Sequence, residues 1–68
     1  MKTKYKLSAK KLQRRRYDLG LSLDQVSELT GIDRSNINKI ELGKRAFTMV
    51  SAHKFAEAFG CTVHDFFE

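Results

Sequence analysis

The chain has 68 residues, with no proline, no tryptophan, four glycines and a single cysteine. Without proline the strongest helix breaker is missing. Without a second cysteine, Cys61 has no internal disulfide partner, so packing alone must hold the fold, as suits a reducing cytoplasm. No apolar run reaches ten residues, which leaves no membrane span and no signal-peptide core. The only histidines, His53 and His64, have no cysteine or carboxylate at ligand spacing, and no glycine-rich phosphate loop is present. No catalytic, metal, cofactor or small-molecule site is therefore expected.

A chain this short forms one domain and buries roughly 60% of its unfolded surface, so each helix end and packing position counts. Its net charge of +5 is unevenly spread. Residues 1–16 carry eight bases (Lys2, Lys4, Lys6, Lys10, Lys11, Arg14, Arg15 and Arg16) and no acid. Residues 17–68 carry five bases and eight acids. A basic arm on a mildly acidic body attracts polyanions, chiefly nucleic acid or an anionic membrane surface. The membrane option is weak, because "MKTKYKL" has no extended amphipathic face.

Helix starts recur along the chain as a Ser, Thr or Asp cap between two apolar residues, the pattern of the hydrophobic staple. Ser8 lies between Leu7 and Leu12, Ser22 between Leu21 and Val26, and Asp33 between Ile32 and Ile37. Thr48, after Phe47, and Thr62, between Cys61 and Phe66, continue the series. Gln25 completes a capping box with Ser22. Gly20, Gly31, Gly43 and Gly60 fall where helices should stop. Five helices are expected, at about 8–19, 22–30, 33–42, 48–59 and 62–67, and no strand.

Helical spacing nominates Leu12, Leu19, Val26, Leu29, Ile37 and Ile40 for the core of the first three helices. Met49, Ala52, Phe55, Ala56 and Phe59 serve the fourth, and Val63, Phe66 and Phe67 close the chain. A final helix so short cannot bury two adjacent aromatics on one face. Either Phe66 or Phe67 is therefore expected to face a second copy as a dimer contact.

The stretch "GIDRSNINKIELGKR" reads as one helix with only Ile37 and Ile40 apolar, while Arg34, Ser35, Asn36, Asn38 and Lys39 dress its other side with polar groups. It joins the preceding helix through "LTGID", a tight turn centred on Gly31. Two short helices across such a turn make a helix-turn-helix, whose second helix can enter the DNA major groove. With these residues the chain resembles the phage repressor and Cro proteins, the XRE-type class. The resemblance runs from about Lys10 to Phe67. It is carried by Arg16 ahead of Gly20, "GLS", Gly31, Ile37–Ile40–Glu41, "GKR" and the closing "AEAFGCTVHDFF".

The resemblance implies an all-α, compact five-helix bundle, with residues 1–7 a basic arm and 8–68 the helix-turn-helix domain formed around helices 2 and 3. It implies a sequence-specific regulator of transcription, a repressor acting as a homodimer on a pseudo-palindromic operator. Carried over residue by residue, base-reading positions fall on Asp33, Arg34, Ser35, Asn38 and Lys39. Phosphate contacts fall on Asn36 and Lys44, with Arg45, Arg15 and Lys6 nearby. Arg16 and Glu41 correspond to an internal ion pair between the first and third helices. The chain departs from the family at Leu23, Leu42 and Asp33, where the family commonly has polar or uncharged groups toward phosphate, and at Phe47, where it commonly has proline. Exposed leucines at positions 23, 29 and 42 would instead suit a protein-interaction module, such as an antitoxin.

Overall fold

The structure, a computed structural model, describes residues 6–68. Each α-helix begins where a side-chain oxygen meets an unpaired backbone N–H. Ser8 Oγ accepts from Lys11 N–H at 3.2 Å and opens α1, Ala9–Asp18. Ser22 opens α2, Leu23–Thr30, through a reciprocal capping box with Gln25. Asp33 opens α3, Arg34–Glu41, by accepting from Ser35 N–H. Thr48 opens α4, Met49–Phe59, in a second capping box closed by the Ser51 hydroxyl. Gly31 ends α2 at φ 76°, a left-handed conformation that costs a side chain with a Cβ 1–2 kcal/mol or so.

The expected fifth helix is a single 3-10 turn, Val63–Phe66, and the described residues form four α-helices. Thr62 makes no side-chain cap there. A four-residue segment forms too few helical bonds to propagate. The chain instead leaves it in extended geometry, with Phe67 at φ −74° and ψ 144°. Phe67 pairs antiparallel with Leu7, Ser8 N–H donates to the Phe66 carbonyl at 2.7 Å, and Glu68 N–H donates to the Lys6 carbonyl at 2.9 Å. Lys11 Nζ adds a 2.6 Å bond to the Phe67 carbonyl. This clasp is an isolated bridge, and no longer strand forms among the described residues. It ties Lys6 and Leu7, expected in the arm, to the end of the domain.

The helices pack around one core: α2 lies against α3 and α4, while α1 crosses α3, α4 and the 3-10 turn. Leu12, Val26, Ile37, Ala52, Phe55 and Phe66 are sealed from solvent. Phe66 meets Phe47 and Phe59 at ring-centroid distances of 5.7 and 6.2 Å, and Phe47 also meets Phe55 edge-on at 5.9 Å. These offset and edge contacts are favoured by the ring quadrupoles. Phe47, which stands where the family commonly has proline, thus serves as packing.

Three positions nominated for the core are exposed. Leu19 caps the end of α1 and Met49 begins α4, where the helix surface runs out beyond the core, and Leu29 lies on the outer face of α2. Phe66 is corrected in the opposite direction. Fully buried in the aromatic cluster, it cannot touch a second copy unless the domain opens, whereas Phe67 is half-buried beside His64.

Candidate nucleic-acid interface

Ile37 and Ile40 anchor one side of α3 in the core, one fully and the other almost fully buried. Helical geometry then turns Arg34, Ser35, Asn38 and Lys39 outward, and all four are exposed. The opposite ends of α3 are prepared differently. At the start, Asp33 Oδ2 accepts from Ser35 N–H at 3.0 Å and from Ser35 Oγ at 2.5 Å. These bonds, the hydroxyl's first, hold the Asp33 carboxyl below its ordinary value and keep it charged. Because the Ser35 hydroxyl proton is committed to Asp33, the oxygen can offer a partner only its lone pairs, as an acceptor.

At the far end, Gly43 at φ 79° reverses the chain, and the Lys39 carbonyl accepts from both Lys44 N–H, at 2.8 Å, and Arg45 N–H, at 3.2 Å. The loop so formed presents Lys44 and Arg45 to solvent beside the C-terminal end of α3, whose partial negative charge favours cations. Half-buried Asn36 lines an open groove of about 390 Å³ together with Arg45, Thr48 and Lys54. Lys54 had no signal in the sequence beyond its charge, because its place beside this groove depends on how α4 packs in the folded domain.

A bidentate ion pair fixes α3 from behind. Arg16 Nε lies 2.7 Å from Glu41 Oε2, and Arg16 Nη2 lies 2.9 Å from Glu41 Oε1. Two neighbours add to the pair: Arg16 Nη1 donates to the Leu21 carbonyl at 2.9 Å, and Gln13 Nε2 donates to Glu41 Oε1 at 3.4 Å. Both residues are buried. The bond to Glu41 raises the Arg16 pKa above its ordinary value, against the opposing pull of burial. This fork-to-fork geometry suits arginine and not lysine.

Two expected phosphate contacts have partners in the C-terminal segment. Arg15 Nη2 pairs with Asp65 Oδ2 at 3.2 Å, so it is drawn toward the C-terminal turn. Lys6 is exposed, with its backbone held in the clasp. Lys2 and Lys4 of the arm fall outside the described residues. Sequence reasoning missed Asp24, at the start of α2, whose Oδ1 lies 3.4 Å from Arg34 Nε. The only hint was that opposite charges stand in the first turns of consecutive helices.

Cys61 is half-buried, and burial, aided by Asp65, raises its thiol pKa, which makes it a poor nucleophile. Among the described residues, no histidine, cysteine and carboxylate cluster has the form of a metal site, and no helix is long and apolar enough to cross a membrane.

Comparison with known proteins agrees with this architecture. A helix-turn-helix family model, HTH_3, matches residues 5–66. The restriction-modification controller protein C.AhdI from Aeromonas hydrophila is similar at 30% identity and a TM-score of 0.83, over 87% of this chain and 89% of that one. An HTH_3 family transcriptional regulator from Vibrio cholerae is similar at 31% identity and a TM-score of 0.81, over 85% of this chain and 33% of that longer protein. A hypothetical transcription factor, NHTF from Neisseria, shares the fold at 20% identity and a TM-score of 0.80, over 88% of this chain and 69% of that one. No curated protein sequence matches the chain. With nearly its whole length matched and its two short helices set around Gly31, the chain belongs to the XRE-type helix-turn-helix family.

Proposed function

We propose that the chain is a sequence-specific double-stranded DNA-binding transcriptional regulator, a repressor that acts as a homodimer on a pseudo-palindromic operator. The observation that carries this reading is the division of α3, with Ile37 and Ile40 buried and Arg34, Ser35, Asn38 and Lys39 exposed on the other side. With α3 in the major groove, Arg34 and Lys39 suit guanine O6 and N7, and Asn38 suits adenine. Lys44, Arg45 and Asn36 lie to the side, where phosphates pass, and fix the register of the helix on the duplex. Lys6 and the arm add charge without sequence information, and Arg15 joins them only by leaving Asp65. The controller and regulator roles in the descriptions of the two relatives at 30% and 31% identity support regulation over catalysis.

The homodimer follows from information content. One recognition helix addresses too few base pairs to define a site, and two related by a two-fold axis read half-sites about 10 bp apart. Phe67, not the buried Phe66, is the aromatic left for the dimer contact at the C-terminal turn. Repression is the simplest consequence, because a protein seated across a promoter blocks it by occupancy.

Selection of bound duplexes from a random pool, followed by mobility shifts across a salt series, tests the reading. An enriched pseudo-palindrome and a steep negative slope of log affinity on log salt are expected. A flat slope with no enriched sequence overturns it. Leu29 and Leu42, 56% and 54% exposed, would then favour the alternative, a protein-interaction module such as an antitoxin.

A further inference from the structure

The geometry points to Asp24 as a positioning residue that aims Arg34 at a base edge, an inference that rests on α3 being the recognition helix. Asp24 stands in the first turn of α2 and Arg34 is the first residue of α3. Across the turn, Arg34 Nε lies 3.4 Å from Asp24 Oδ1. The other carboxylate at this corner, Asp33, caps α3 through Oδ2, while the guanidinium lies against Asp24. Contact through Nε leaves the terminal pair, Nη1 and Nη2, side by side at the end of the side chain. That pair is the two-donor fork that matches O6 and N7 of guanine.

The contact has little to do with stability. Its side chains are 64% and 74% exposed, and an ion pair so open to water and salt contributes almost nothing to folding. Its effect grows when DNA covers it, because the same charges attract more strongly once water is excluded. An open cleft of about 270 Å³, lined by Leu23, Arg34, Ser35 and Asn38, lies at this corner and leaves room beside the guanidinium. A free arginine must give up rotamer freedom on binding, and one already leaning on Asp24 gives up less.

Asp24 also acts against wrong sequences. A carboxylate near the DNA backbone repels phosphates under every base. That penalty is offset only where the Arg34 fork finds its guanine. Discrimination of this kind comes from a repulsive group set beside an attractive one. The same balance explains how a face carrying Asp24 and Asp33 remains compatible with DNA.

The test uses the full chain, with Asp24→Asn, Arg34→Ala and the double variant compared on duplexes selected by the parent and on single-base changes of them. Asp24→Asn is expected to melt with the parent, to bind non-cognate duplexes as well or better, and to lose preference at the Arg34 base by about fivefold or more. Arg34→Ala is expected to lose the same preference, and adding Asp24→Asn to it should change that preference no further. In the free protein, 15N relaxation of Arg34 Nε–H is expected to show a more mobile guanidinium in Asp24→Asn. Full base preference in Asp24→Asn, or relaxed preference with unchanged Arg34 mobility, overturns the positioning role alone. A parent that selects no sequence overturns the DNA reading itself, and this inference with it.

Discussion

Arg16 on α1 and Glu41 at the end of α3 face each other as two forks, joined by hydrogen bonds of 2.7 and 2.9 Å, with 9% and 2% of their side chains exposed. The pair ties the end of α3 to α1. Removing one member strands the other charge without water. Glu41→Ala is expected to cost roughly 3–5 kcal/mol, a large share of what holds so small a domain together. Thermal unfolding followed by circular dichroism measures it. A variant that melts like the parent yet fails to bind DNA would move Glu41 from support to recognition.

Phe66 and Phe67 are neighbours with opposite fates. Phe66 is sealed among Phe47 and Phe59, and truncating it leaves a cavity. Phe66→Ala is expected to cost about 3–5 kcal/mol of stability. Phe67→Ala should melt closer to the parent and weaken self-association. Sedimentation equilibrium over a concentration series separates the two, and an undiminished dimer in Phe67→Ala would remove it from the interface.

Much of this was legible in the chain because helix ends are chemically local. A serine or aspartate flanked by apolar residues caps its own helix, and α1 to α3 start where Ser8, Ser22 and Asp33 promised. Thr48 and Ser51 hid their box because the usual partner is a longer Glu or Gln. The C-terminal segment was not legible for a different reason. Whether Phe66 or Phe67 turns inward depends on the pairing of Phe67 with Leu7, at the other end of the chain. The Arg34–Asp24 contact likewise depends on how two helices meet, not on either helix's own pattern.

Asp33 should make the start of α3 sensitive to acid. Its carboxyl is held below the ordinary value of 3.8, first by the Ser35 hydroxyl and then by the Ser35 N–H. A depressed folded-state pKa means that the ionised form is favoured by folding. The stabilisation is complete above the unfolded value and is lost as pH falls through the folded one. The stability difference between the parent and Asp33→Ala should therefore shrink as pH drops below about 3.8. Denaturant melts at a series of acidic pH values measure it, and a constant difference would show that the cap does not need its charge.

The basic arm is expected to bind phosphates without preference. The Lys6 carbonyl accepts from Glu68 N–H, so a clean deletion stops at residue 5 and spares the clasp. Removing residues 1–5 takes away Lys2 and Lys4. It should weaken binding to all duplexes alike and reduce the magnitude of the salt slope by about 0.9 for each phosphate that is no longer neutralised. An unchanged slope would show that the arm stays away from DNA.

Arg34 and Lys44 should separate reading from holding. Arg34 opens α3, the end that points into the major groove in this motif, and its planar fork addresses one base at two points. Arg34→Ala is expected to cost about 1–3 kcal/mol at the preferred site and to relax preference at one base per half-site. Lys44 lies in the loop after α3, where its N–H is bound to the Lys39 carbonyl and its side chain faces solvent. A phosphate is the same under every base, so Lys44→Ala should weaken all sites about equally and flatten the salt slope. Affinities on the selected duplex and its single-base changes, at two salt concentrations, distinguish the two effects. If both substitutions give one uniform loss with the preferred sequence intact, Arg34 touches only the backbone and the reading of the groove must move to Asn38 and Lys39.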